Sequence, residues 1–152
     1  MMVDGYNVIH AWGLDMRSLE DARGKLLHIL DDYAGFSGED ITVVFDGCNT
    51  KEPMSETRQG LIKVVFTACG VTADTHIQRT VKSSNKMIKV VTADYLEQLS
   101  VFEAGAIRVT PEELRQLIKA SREKYIKMID RSSLSKNELQ KRLALDSLDF
   151  PE

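Results

Sequence analysis

Short β-branched runs alternate along this chain with stretches of helical period, and few folds accommodate that alternation. Met1–Val3, Ile41–Phe45, Leu61–Thr67, Met87–Thr92 and Ala106–Val109 read as strands. Leu19, Ala22, Leu26, Ile29, Leu30 and Tyr33 recur at a spacing that predicts a helix over 18–34, stopped by Gly35 and Gly38. Further helices are expected over Thr72–Lys82, Tyr95–Glu103 and 111–129, with a last short one over 133–145. Thr110 is placed to cap the 111–129 helix, with Pro111, Glu112 and Glu113 in its first turn. The pattern predicts an α/β domain: a mostly parallel five-stranded sheet, with apolar strands buried under helices on both faces. Residues 1–130 are expected to form that domain and 131–152 a C-terminal helical tail.

Composition narrows the function. The chain has 152 residues, 43% hydrophobic and 28% charged, enough to build a core. Twenty Lys and Arg against 23 Asp and Glu give a net charge of −3, which excludes bulk electrostatic binding to nucleic acid. A local basic groove stays open. No apolar run reaches the ~18 residues of a membrane helix. Met1–Gly5 lacks the basic-then-apolar pattern of a signal peptide, so a cytoplasmic protein is expected. Cys48 and Cys69 then read as free thiols. His10, His28 and His76 show no metal-ligand spacing.

In open α/β sheets, sites form beyond the carboxyl ends of the strands. Asp4 closes the first predicted strand, Asp46 the second and Asp94 the fourth. Asp74 opens the helix after the third, and Asn7 closely follows Asp4. Each acid alone fits turn or capping chemistry. Four on one rim are harder to explain that way, because Ser, Thr, Asn or Gly would serve. Converging carboxylates raise one another's pKa, and a hard cation such as Mg²⁺ or Mn²⁺ relieves the repulsion. Such an ion stabilises charge on a phosphodiester in the transition state. A haloacid-dehalogenase site needs an acid two residues after Asp4, where Tyr6 stands. A receiver domain needs adjacent acids after the first strand and a lysine after the fifth, and neither is present. Phosphate-loop and dinucleotide fingerprints are also missing.

The segments Val3-Asp4-Gly5-Tyr6-Asn7-Val8-Ile9, Ala22-Arg23, Val44-Phe45-Asp46 and Val65-Phe66-Thr67 occur in that order. Thr72-Ala73-Asp74-Thr75-x-Ile77, Val91-Thr92-Ala93-Asp94-x-x-Glu97-Gln98 and Gly105-Ala106-x-Arg108 follow. Together they resemble the YacP-type branch of the NYN domains, which are PIN-like ribonucleases. The resemblance spans roughly residues 1–118, and its Asp-Gly-Tyr-Asn start is the most specific part. It implies a PIN-like three-layer fold, a divalent metal site and endonucleolytic cleavage of RNA, in this branch mRNA at the ribosome. By motif it makes Asp4, Asn7, Asp46, Asp74 and Asp94 catalytic, with the four aspartates toward Mg²⁺ or Mn²⁺. Two positions depart from the pattern: Val71 stands where the family usually has glutamate, and Ala93 where it usually has serine.

Holding RNA at an acidic rim requires cations around it. Arg23, Arg79 and Lys82 are expected to contact phosphates, with Lys86, Lys89, Lys51, Arg58 and Arg17 as further cations near the strand ends. Tyr6 and Thr92 are expected on the RNA side of the rim, and Tyr6 or Trp12 could stack on a base or pack in the core. The expected partners are RNA and the ribosome, with no membrane. Two other readings stay open: a catalytically weak RNA- or ribosome-binding module, and a phosphohydrolase of small esters.

Overall fold

The computed structural model describes residues 1–14, 18–47 and 53–131. In chain order the elements are β1 (Met2–Asp4), α1 (Gly5–Trp12), α2 (Leu19–Ser37), β2 (Thr42–Phe45), β3 (Ser55–Gln59), β4 (Ile62–Phe66), α3 (Ala73–Ser83), β5 (Lys89–Val91), α4 (Tyr95–Glu103), β6 (Ile107–Val109) and α5 (Pro111–Arg131). The strands form one six-stranded sheet in the order β3-β4-β2-β1-β5-β6. All neighbours pair parallel except β3 with β4. The five expected strands are all present, and the sixth is the antiparallel edge strand β3. Its residues, Ser-Glu-Thr-Arg-Gln, are all exposed. An edge strand that buries nothing has no apolar alternation to reveal it.

Alternation along the strands sends side chains to two cores. Val3, Val43, Val64, Val91 and Val109 pack with residues of α1, α2 and α5. Met2, Val44, Val65 and Val90 pack with Ala73, Ile77 and Val81 of α3 and Val101 of α4. The result is the expected three-layer sandwich. Helix α1 is an addition. Its eight residues are too few to display a period, and Asp4-Gly5 reads as a turn in sequence. The structure turns straight from strand to helix there, with Asp4 as N-cap.

Helix α5 is docked at its start. Trp12 donates its Nε1–H to the Pro111 carbonyl at 3.0 Å. Thr110 and Glu113 form a reciprocal capping box, so the expected cap is present. The expected helix over 133–145 lies outside the described residues.

Candidate active site

The strand order fixes where the site lies. From central β1 the chain builds outward through β2 to β4 and β3, then returns to place β5 and β6 on the other flank. The switch point is therefore between β1 and β5, and the strands' carboxyl ends there are where open sheets of this kind place their sites. Asp4 ends β1, and Asp94 follows β5. Asn7, on the first turn of α1, crosses this gap: its Oδ1 accepts the Ala93 backbone N–H. The motif asparagine is thus the clasp between the two halves of the rim.

Each aspartate is held by backbone donors or by a neighbouring amide. Asp4 Oδ1 accepts the Asn7 N–H at 3.1 Å. Asp46 Oδ1 accepts the Ala73 N–H at 2.6 Å, so the end of β2 grips the N-terminus of α3. Asp74 Oδ1 accepts from the Gln78 side-chain amide at 2.8 Å. Asp94 Oδ1 accepts the Leu96 N–H at 2.8 Å, and its own N–H goes to Thr92 Oγ1. The carboxylates sense one another most clearly at Asp4. Burial raises its pKa from 3.8 to about 6, Asn7's N–H opposes that, and the charges of Asp46, Asp74 and Asp94 raise it further. The four acids therefore stand close enough for three of them to act electrostatically on the fourth.

Two glycines allow the rim to close. Gly5 starts α1 directly beneath the Phe45 ring, and a Cβ there would lie 2.2 Å from Phe45 Cε1. Gly47 passes the Thr67 carbonyl so closely that a Cβ would sit 1.7 Å from its oxygen. Thr67 is buried and joins both sides of this crossing. Its Oγ1 accepts the Gly47 N–H at 3.0 Å and donates to the Val71 carbonyl at 2.6 Å. Thr67 is a polar residue closing an apolar run, and that break in pattern is the sequence signal for its role.

The expected RNA-binding residues fall into two groups. Arg79 and Lys82 are exposed on α3, beyond Asp74 and further from the rim along the helix. Arg23 and Tyr6 are half-buried. Arg23 Nη1 donates to the Tyr6 hydroxyl at 2.9 Å, and its guanidinium lies 5.7 Å from the Phe66 ring centre. The Tyr6 ring packs against Phe45 at 5.0 Å. Thr92 is fully buried, with its hydroxyl turned to the Asp94 amide. Trp12 is 3% exposed and belongs to the core.

Whether a divalent cation suits this rim is decided by its donors. The four acids offer hard oxygen ligands, and the charges of Asp46, Asp74 and Asp94 add to the burial that raises the Asp4 pKa. Among the described residues, no three His, Cys, Asp or Glu side chains stand together as a ready ligand group. Mg²⁺ keeps several of its waters and commonly takes only one or two carboxylates directly, so the donors fit a hydrated ion.

A six-stranded, mostly parallel sandwich with aspartates gathered at its switch point defines a PIN-like α/β domain. Residues 1–149 match the YacP-like NYN domain, and the chain belongs to that nuclease-type family. Protein YacP of Bacillus subtilis, strain 168, is 35% identical over 121 residues, which are 75% of this chain and 71% of that protein. The crystal structure of Rae1 (YacP) from Bacillus subtilis superposes with a TM-score of 0.72 at 28% identity, covering 97% of this chain and 88% of the other. Its W164L mutant gives 0.70 at 29% identity, covering 89% and 83%.

Proposed function

We propose that this protein is a divalent-metal-dependent endoribonuclease that cleaves RNA at the β1/β5 rim, with ribosome-associated mRNA as its substrate. One observation carries the reading: Asp4 ends β1 at the sheet's switch point, where the charges of Asp46, Asp74 and Asp94 all act on it. Turn chemistry does not call for such a concentration of charge, whereas binding a cation against a phosphodiester does. Asp4, Asp46, Asp74 and Asp94 would hold a hydrated Mg²⁺ or Mn²⁺, in part through its waters. A bound ion supplies Lewis-acid stabilisation of charge on the phosphate.

The chain's own residues do the rest. Asn7 fixes the spacing of the two strand ends by its bond to Ala93. Asp46 sets α3, and with it Asp74, through the Ala73 amide. Arg23, held by Tyr6, places a cation beside the rim. Exposed Arg79 and Lys82 extend positive charge along α3 for the phosphates that follow.

The test is incubation of an unstructured RNA with Mn²⁺ or Mg²⁺, for the wild type and Asp4→Asn. Metal-dependent cleavage by the wild type, lost in the variant, supports the reading. Tight RNA binding without cleavage would favour a binding module, for which the valine at position 71 is the favouring observation. Hydrolysis of small phosphate esters alone would point to a phosphohydrolase. Cleavage of translated mRNA only when ribosomes are added would establish the ribosome as partner.

A further inference from the structure

Gln98 is a buried polar side chain, at 6% exposure. It lies on α4 behind the loop that carries Asp94. Both ends of its amide are engaged. Nε2 donates to the Thr92 carbonyl at 2.7 Å. Oε1 accepts from Arg108 Nη1 at 3.2 Å. Its backbone N–H donates to the Asp94 carbonyl at 2.9 Å. Thr92 completes the circuit, because its Oγ1 accepts the Asp94 N–H at 3.1 Å. The loop from β5 to α4 is therefore gripped at both ends by one glutamine, and that glutamine is oriented by an arginine on edge strand β6.

A buried Gln has a cheaper alternative in any apolar residue of its volume, so its presence there needs a task that only an amide performs. An amide can donate to one carbonyl while accepting from a guanidinium, and the Arg108 charge fixes which way round it sits. The Thr92 carbonyl is then held by Gln98, and the Thr92 hydroxyl holds the Asp94 N–H. Arg108 itself faces solvent.

We propose that Gln98 and Arg108 are positioning residues: an Arg108–Gln98–Thr92 relay that sets the Asp94 carboxylate for cation and RNA. The proposal rests on the nuclease reading of Asp94. Groups that orient a ligand from behind typically change metal affinity or rate by about 10–100-fold when removed. Gln98→Leu, which removes both amide bonds at similar volume, should weaken Mn²⁺ binding and lower kcat by about tenfold or more, with a smaller change in KM. Arg108→Met should give a weaker loss of the same kind. In the Gln98→Leu background it should add nothing, because the relay is already broken.

The experiment measures Mn²⁺ affinity by calorimetry, cleavage kinetics, and hydrogen exchange of the Asp94 amide in wild type, both single variants, the double variant and Asp94→Asn. Faster exchange at Asp94, with weaker Mn²⁺ binding and non-additive rate losses, supports the relay. Wild-type Mn²⁺ affinity and kcat in folded Gln98→Leu would overturn it, as would independent, multiplying effects of the two single changes. Should Gln98→Leu not fold, Arg108→Met at the exposed end decides by the same measurements. Asp94→Asn separates the two levels. Unchanged cleavage in that variant overturns the role of Asp94 itself, whereas abolished cleavage with an unaffected Arg108→Met overturns only the relay.

Discussion

Asp4 does two jobs whose demands conflict, and the conflict is measurable. As N-cap of α1 it accepts the Asn7 amide, which an Asn side chain would also do. As a half-buried acid that also senses the charges of three others, it has a pKa raised to about 6. Between pH 3.8 and about 6 the folded protein therefore binds a proton that the unfolded chain releases. The stabilising share of this group is complete below 3.8 and is lost as pH rises through about 6, which amounts to on the order of 2–3 kcal/mol. Metal-free Asp4→Asn should accordingly melt higher than wild type at pH 7 and level with it near pH 4, while losing cleavage. Thermal scans in chelator from pH 4 to 7 check the sign; an Asn variant less stable at pH 7 would make the charge structural. Gly5 is the opposite kind of residue, required for what it lacks. Gly5→Ala drives a methyl into the Phe45 ring and should destabilise by about 3 kcal/mol or more, read as a fall in denaturation midpoint.

The lead-in to α3 carries Val71, where the resemblance implies a glutamate. Val71 is half-exposed, just before the Thr72 cap, and its carbonyl accepts from Thr67. Its side chain is not committed to the core, so Val71→Glu should fold. With one carboxylate fewer than the family pattern, the wild type should cleave RNA better with Mn²⁺ than with Mg²⁺. Val71→Glu should raise the Mg²⁺ rate. Cleavage across a range of both ions checks this, and an unaltered ion preference in the folded variant would place residue 71 away from the chemistry. The apolar elements and the acids at their ends were legible because each is written locally, as a β-branched run and its closing residue. Helix α1 was not, since a cap joins it directly to β1 with no loop between. The exposed edge β3 left no pattern to read. Least legible were the clasps: Asn7 to Ala93 and Gln98 to Thr92 and Arg108 join elements whose meeting only the strand order decides.

Across the molecule, the proposed function would require an acidic rim and a net charge of −3 to accept a polyanion. Binding therefore relies on a few local cations, and salt should expose them. For single strands, each phosphate left without its cation should reduce the slope of log K against log salt by about 0.7. Lys82→Ala and Arg79→Ala should each do so while leaving kcat at saturating RNA unchanged; titrations from low to moderate salt measure it. The other face has a different anchor. Trp12→Phe removes the donor to the Pro111 carbonyl that docks α5, and should lower Tm by roughly 2–8 °C with cleavage retained at 25 °C. The Asn7 clasp also orders events in time. It joins residues 86 positions apart, across strands that become neighbours only after the whole β2–β4 flank has been laid down. Pairings of such separation are slow to form, because the loop between them must be closed first. A growing chain carries Asp4 and Asn7 long before Ala93 and Asp94 exist. A rim assembled this way stays incomplete until β5 pairs with β1.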